Sequence, residues 1–167
     1  MKAVLFDLDD TLVVDEIVSH RALEHTARQA LEHHGAEPEQ FARDAVELAQ
    51  THWKAGTSHS YCRAIGISAF ECLWGNFEGE AEDLMALRAW AITYRARVFD
   101  AALRAQMIES AMGGQELAET FAAARRRLQR LMPDARETLT RLSGAYALGL
   151  LTNGAPDLQR EKIAASG

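Results

Sequence analysis

The apolar residues of this chain follow two spacings, one typical of buried strands and the other of helices. Residues 2–6 and 145–151 are short, mostly continuous apolar runs. Runs of this length without alternation are typical of strands buried on both faces, as in a parallel sheet. The pattern therefore predicts two parallel strands that are far apart in the sequence, each expected to be covered on both faces.

The residues between these strands carry apolar positions at the three- and four-residue spacing of amphipathic helices. Ser19 is expected to cap a first helix, which Gly35 ends. Pro38 is expected to open a second helix, which Gly56 ends. The following residues, up to Gly79, form the least regular part of the chain.

Long helical patterns resume at residue 81. We expect a helix to about residue 112, a break at Gly113 and Gly114, and a further helix through residue 130. Shorter helices are expected at residues 133–142 and 157–165. So long a helical insertion between consecutive strands predicts an α/β fold with a separate all-α lobe. The predicted boundaries are residues 1–16 and 132–167 for the strand-containing core, and 17–131 for the lobe.

Net charge and cysteine content indicate which binding partners and which cellular location to expect. The chain has 18 Lys and Arg against 24 Asp and Glu, a formal net charge of −6. We therefore expect no nucleic acid and no anionic membrane as a partner. No apolar stretch reaches the roughly 18 residues of a membrane span. Cys62 and Cys72 match neither a disulfide framework nor a zinc-ligand spacing, which favours the cytoplasm.

Acidic residues follow the first strand, and a Thr-Asn-Gly sequence follows the second. Asp7, Asp9 and Asp10 come directly after residue 6, and the second sequence occupies residues 152–154. Open α/β sheets bind ligands at the carboxyl ends of their strands. An Asp-x-Asp sequence alone fits an acidic turn equally well. Together with Thr11 and the second loop, it indicates a functional site.

The residue types at these strand ends suit phosphoryl transfer. Asp7 and Asp9 point to the same side if the extended backbone continues past the strand. Two close carboxylates require a divalent cation or a raised pKa on one of them, and oxygen ligands favour Mg2+. One carboxylate can then attack phosphorus while the other, when protonated, protonates the leaving oxygen. At the second loop, a hydroxyl and a glycine let backbone N–H groups approach a phosphate closely.

The two loops resemble the first and second motifs of the haloacid dehalogenase superfamily. The sequence FDLDDTL at residues 6–12 resembles the first motif, and LLTNG at residues 150–154 resembles the second. The sequence QREKI at residues 159–163 is similar to the phosphatase branch of the family. The resemblance implies a Rossmann-like core with an inserted type 1 helical cap.

The resemblance also implies a role for each loop residue. Asp7 would be the nucleophile and a Mg2+ ligand, and Asp9 the general acid and base whose backbone carbonyl also reaches the metal. Thr152 would bind the transferring phosphoryl group through its hydroxyl, with help from the backbone N–H groups of Asn153 and Gly154. Family members that cleave carbon–halogen bonds lack an acid at the position of Asp9. Its presence here therefore favours phosphoester hydrolysis.

Several parts of the helical lobe resemble a subgroup of phosphoserine phosphatases. They are IGI at residues 65–67, FE at 70–71, LWGNF at 73–77 and FAAARR at 121–126. We therefore expect a small phosphorylated metabolite as substrate, with phosphoserine as the first candidate. In type 1 caps, loop residues enter the active site and select the substrate. Tyr61, Arg63 and Trp74 are candidates for that role, although packing explains Trp74 equally well.

The family's third motif, a lysine, and its fourth, an acidic cluster, are not found in these residues. Lys162 is expected to be a surface base and not the third-motif lysine. Arg125 and the basic residues that follow it are expected to form a solvated helix face. We expect the core to be incomplete at its C-terminal side, and a sheet of two such strands to need cover from further strands or another chain.

Two other functions remain open. A phosphomutase or phosphotransferase of the same superfamily uses the same aspartates and differs in the group that accepts the phosphoryl group. Alternatively, the chain is a catalytically incomplete fragment whose helical lobe serves as a binding or dimerisation module. A homodimer is one possible assembly.

Overall fold

The computed structural model describes residues 2–166, which form a small parallel sheet and a larger set of helices. This confirms the predicted α/β class. The elements in chain order are β1 (Ala3–Phe6), α1 (Glu16–His34), α2 (Pro38–Lys54), α3 (His59–Ile65), α4 (Ala69–Cys72), α5 (Glu82–Ala105), α6 (Gly113–Arg127), α7 (Ala135–Ser143), β2 (Ala147–Leu150) and α8 (Pro156–Ser166). We call α1 to α6 the helical block. The predicted domain boundaries stay a prediction.

The two strands are parallel neighbours, as the apolar runs predict. Ala3 lies opposite Ala147, and Phe6 lies opposite Leu150. The expected burial on both faces is wrong for the described residues, because Leu5 keeps 67% of its surface in solvent. Within residues 2–166 the sheet has two strands, so each has one neighbour and its other edge is unpaired.

Helix α1 begins three residues before the predicted cap. The Asp10 carboxylate accepts hydrogen bonds from the backbone N–H groups of Asp15 at 2.9 Å and Glu16 at 3.3 Å. The N–H groups at the start of a helix have no acceptor within the helix, so Asp10 supplies one. Ser19 therefore lies inside the helix and is buried. The predicted end is confirmed, because Gly35 caps the helix at a φ of 73°.

Gly113 and Gly114 begin α6 instead of interrupting a helical stretch, so the expected break falls earlier, at residues 106–112. A Cβ atom on Gly114 would overlap the backbone oxygen of Ala96 on α5. The missing side chain therefore allows α5 and α6 to approach closely at this point.

The stretch expected to be irregular contains two short helices. Helix α4 begins with a capping box: the Ser68 hydroxyl accepts the Glu71 N–H at 3.1 Å, and the Glu71 carboxylate accepts the Ser68 N–H at 2.8 Å. Arg95 of α5 donates its Nε–H to the Cys72 carbonyl at 2.9 Å and so holds the C-terminal end of α4. These contacts fix Glu71 on the inner side of the helical block.

Aromatic rings from several helices form the centre of the core. The Phe41 and Phe99 rings stack with centroids 6.1 Å apart, and Phe121 lies 5.9 Å from Phe99. All three are fully buried. The same apolar cluster extends to Ala155 and Leu158 at the start of α8, so α8 packs against the helical block.

Replacement of Phe99 tests this account of the core. Phe99→Ala is expected to lower the free energy of unfolding by about 3–5 kcal/mol, because it removes a fully buried ring that touches two others. The matched variant Ile92→Ala, on the same helix but 65% exposed, should change it by less than about 0.5 kcal/mol. Urea unfolding followed by circular dichroism measures both. Equal losses would contradict the assignment of the core.

Candidate active site at the strand ends

The residues predicted from the two loops lie at one edge of the sheet. Asp7 and Asp9 follow β1, and residues 152–154 follow β2, its parallel neighbour. Asp7 is exposed, and no side chain of residues 2–166 forms a hydrogen bond or ion pair with its carboxylate. Its oxygens are therefore open to a ligand.

Asp9 is partly buried and is bonded at both carboxylate oxygens by α8. Oδ2 accepts a hydrogen bond from Gln159 Nε2 at 2.9 Å, and Oδ1 accepts one from Lys162 Nζ at 2.7 Å. The two loop aspartates thus have different surroundings. Asp7 faces solvent, whereas the orientation of Asp9 is fixed by two side chains of one helix.

Gln159 also connects Asp9 to the second loop. Its Nε2 lies 2.7 Å from Thr152 Oγ1 and 2.6 Å from the backbone oxygen of Asn153. One amide group therefore holds the first and second loops in register. Gln159 lies in the QREKI sequence but is not among the site residues predicted from the sequence.

Lys162 is buried, so the expectation of a surface base is wrong. Its ammonium group lies 2.8 Å from Glu71 Oε1 and 3.1 Å from Asp15 Oδ1, in addition to Asp9. We call Asp9, Asp15, Glu71 and Lys162 the lysine cluster. Burial lowers the pKa of Lys162, but the carboxylates of Glu71, Asp15 and Asp9 together raise it by more, so the pKa lies above its ordinary value. The side chain is therefore charged at neutral pH.

The burial of Gln159 and Lys162 follows from their spacing on α8. Gln159 lies four positions after Ala155, and Lys162 lies four positions after Leu158. Ala155 and Leu158 belong to the apolar cluster of the helical block, and all four residues are buried. Positions i, i+3, i+4 and i+7 share one face of a helix. This spacing is the sequence feature by which both polar residues could have been found.

Two of the arginines expected on a solvated face instead form ion pairs, one of them fully buried and the other half-buried. Arg125 is fully buried and pairs with Asp15, and its Nε donates to Ser19 Oγ at 3.1 Å. Arg126 pairs with Glu161 of α8 at 2.6 Å. Arg127 and Arg130, which follow in the sequence, are exposed as expected.

Trp74 packs beneath these cations. The guanidinium carbons of Arg125 and Arg126 lie 4.7 and 5.4 Å from the ring centroid, and Lys162 Nζ lies 6.0 Å from it. Cations over an indole face are attracted to its π electrons. Trp74 is buried, which fits a packing role, and its part in substrate selection stays a prediction. Of the other two specificity candidates, Tyr61 is half-buried and Arg63 is exposed.

The end of α3 contacts the second loop directly. The backbone N–H of Gly154 donates to the Ile65 carbonyl at 2.7 Å, and Asn153 Nδ2 donates to the Gly66 carbonyl at 3.1 Å. The Gly154 amide, expected to bind phosphate, is thus paired with the helical block in this structure. A phosphate that uses this amide has to displace the Ile65 carbonyl.

The loops offer a small set of oxygen ligands for a metal ion. No group of three or more His, Cys, Asp or Glu residues placed to hold a metal ion is found within residues 2–166. The Asp7 carboxylate is open, and the Asp9 side chain is bonded to α8, which leaves the Asp9 backbone carbonyl as its predicted contribution. This set fits Mg2+, which retains several waters and needs only one or two carboxylates besides substrate phosphate.

A family model described as haloacid dehalogenase-like hydrolase matches residues 1–167. The chain belongs to this family. A phosphoserine phosphatase of Thermus thermophilus is 42% identical over 172 residues, which cover 100% of this chain and 64% of that protein. The chain thus spans less than two thirds of the length of this curated relative.

A crystal structure of a dehalogenase is similar to 99% of this chain and 57% of the dehalogenase chain, with a TM-score of 0.47 and 18% identity. In the part of the chain that the structure describes, no helix of this haloacid dehalogenase-like hydrolase is long and apolar enough to cross a membrane.

Substitution of Gly66 tests the contact between α3 and the second loop. Gly66 has a φ of 78°, and a Cβ there would overlap Asn153 Nδ2. Gly35 also has a positive φ, of 73°, but nothing lies within 4 Å of its Cβ position. Alanine at either position should cost about 1–2 kcal/mol of stability through backbone strain.

Gly66→Ala should in addition separate the loop from α3, so that the Gly154 amide exchanges its hydrogen at least about tenfold faster. Gly35→Ala should leave that exchange unchanged after correction for global stability. NMR-detected hydrogen exchange and thermal unfolding measure the two effects. Unaltered protection of Gly154 in Gly66→Ala would contradict the contact.

Proposed function

We propose that this chain carries the nucleophile and phosphate-binding loop of a Mg2+-dependent phosphomonoester hydrolase that acts through an aspartyl-phosphate. Membership in the haloacid dehalogenase-like hydrolases supports the reaction class. The contact set of Gln159 supports the site most directly, because one amide group joins the acidic loop to the Thr-Asn-Gly loop. An open Asp7 carboxylate at the same sheet edge completes the arrangement.

In the first step of the proposed reaction, the Asp7 carboxylate attacks phosphorus and the bond from phosphorus to the leaving oxygen breaks. Asp9, in its protonated form, gives its proton to that oxygen, so that the product leaves as a neutral alcohol. Asp9 ends this step as a carboxylate. Gln159 and Lys162, at 2.9 and 2.7 Å from its two oxygens, support this role because they fix the orientation of the carboxyl group.

In the second step, Asp9 accepts a proton from a water molecule that attacks phosphorus. The bond between phosphorus and Asp7 breaks, phosphate leaves, and the Asp7 carboxylate and protonated Asp9 are restored. Thr152 donates its hydroxyl to the phosphoryl group in both steps. Mg2+, held by the Asp7 carboxylate and the Asp9 backbone carbonyl, would offset the repulsion between the nucleophile and the phosphate oxygens.

Phosphoserine is the proposed substrate. The supporting observation is the relative from Thermus thermophilus, which is named phosphoserine phosphatase and is 42% identical to this chain. A cytoplasmic location and the absence of nucleic acid or membrane partners stay predictions from cysteine content and net charge, and a homodimer stays a prediction as well.

Replacement of the nucleophile tests the proposed chemistry. In the full-length protein, Asp7→Asn should abolish Mg2+-dependent hydrolysis of p-nitrophenyl phosphate, because an amide does not form the aspartyl-phosphate. Asp10→Asn is the matched control. Asp10 has a backbone φ of 52°, and its side chain accepts hydrogen bonds from the N–H groups at the start of α1. Asparagine tolerates both this backbone conformation and this capping role. It should retain activity within about threefold. Activity in Asp7→Asn would refute the nucleophile assignment.

Removal of the metal tests the predicted cofactor. A chelator should abolish hydrolysis by the full-length protein, and added Mg2+ should restore it, because the anionic nucleophile and phosphate repel each other without a cation. The release of p-nitrophenol is followed by absorbance. Full activity in excess chelator would exclude a Mg2+ requirement.

A further inference from the structure

Lys162 is a buried cation that the reaction described above does not use. Its side chain has no exposed surface, and its ammonium group contacts Asp9, Asp15 and Glu71 at 2.7, 3.1 and 2.8 Å. These carboxylates come from three separate segments: the loop after β1, the start of α1, and α4. A buried charge that has no contact with water requires partners of opposite charge. The ion pairs of Lys162 therefore hold the three segments in a fixed position relative to each other.

The lysine cluster places a positive charge where the proposed reaction develops a negative one. As Asp9 gives its proton to the leaving oxygen, negative charge forms on its carboxylate, next to Lys162 Nζ. A fixed cation stabilises that charge without any rearrangement during the reaction. Gln159, one helical turn earlier on α8, holds the other oxygen and so fixes the plane of the carboxylate.

We propose that Lys162 is a positioning residue for Asp9, and that Glu71 ties its ammonium group to the helical block. The inference rests on the proposed function, since it assigns Asp9 the proton transfer. Glu71 belongs to α4 and is held by its capping box with Ser68. The orientation of Asp9 therefore depends on α4 being packed against α8.

The neighbouring residue on α8 provides a matched control. Glu161 pairs with Arg126 of α6 at 2.6 Å, so it also connects α8 to the helical block. It does not contact Asp9. A variant of Glu161 therefore weakens the same packing without changing the surroundings of the proposed acid.

The experiment compares two substrates whose leaving groups differ in their need for a proton. Phosphoserine releases an alkoxide that requires protonation, whereas p-nitrophenolate leaves without it. The ratio of kcat/KM for the two substrates isolates the proton transfer, because kcat/KM reports the steps up to release of the alcohol. The variants Lys162→Met, Glu71→Gln and Glu161→Gln are compared with wild type in the full-length protein with Mg2+.

Lys162→Met should lower kcat/KM for phosphoserine at least about tenfold more than for p-nitrophenyl phosphate, within the range that general acid catalysis supplies. Glu71→Gln should shift the ratio in the same direction by at least about threefold, and Glu161→Gln should leave it unchanged. Circular dichroism reports whether each variant folds. If Lys162→Met fails to fold, Glu71→Gln still tests the proposal.

Equal losses on both substrates in Lys162→Met would overturn the positioning role and leave a structural ion pair. An unchanged ratio in Glu71→Gln would overturn the link to the helical block. These results differ from failure of the proposed function itself. In that case wild type hydrolyses neither substrate, or Asp7→Asn remains active.

Discussion

The ammonium group of Lys162 has almost no contact with water, and this single fact constrains much of the structure. A charge transferred into a protein interior without partners is strongly disfavoured, so carboxylates have to surround it. Asp9, Asp15 and Glu71 supply them at 2.7–3.1 Å from separate parts of the chain. The strand loop, the start of α1 and α4 are thereby brought to one point on α8.

The same electrostatic requirement shapes the candidate active site. Asp15 pairs with the buried Arg125 as well as with Lys162, so the cluster continues into α6. Trp74 lies against the cations Arg125, Arg126 and Lys162 and fills the space beneath them. Asp9 is thus oriented by groups that also hold α8 against the helical block. Asp7 is exposed and lies outside this cluster.

Most elements of the fold could be predicted from local sequence. The two apolar runs gave the parallel strands, and Gly35 and Pro38 marked a helix end and a helix start correctly because their backbone preferences are local. Two errors fell at helix starts. Asp10, five residues before Asp15, capped α1 in place of Ser19. Gly113 and Gly114 began α6, where the close approach of α5 leaves no room for a side chain at Gly114. The strand faces are exposed in the structure because the burial of a strand depends on the elements packed against it, and the strand's own sequence does not specify those elements.

The motif residues of both loops lie at the same edge of the sheet, as strand position predicts, and their catalytic roles stay predictions. Their partners were not found, since Gln159, Lys162 and Arg125 are polar residue types that usually face solvent. Each lies on the apolar face of its helix, beside Leu158 or Ala124, and that spacing was the available indication.

The sequence by itself determined the α/β class, the helices and strands, and the loops that carry Asp7, Asp9 and Thr152. Only the tertiary structure decided which charges are buried and which carboxylates pair with them. The physical reason is that strand and helix patterns depend on neighbouring positions along the chain. The partners of a buried charge come from residues as far apart as Asp9 and Lys162, and they are fixed only when α8 packs against the helical block.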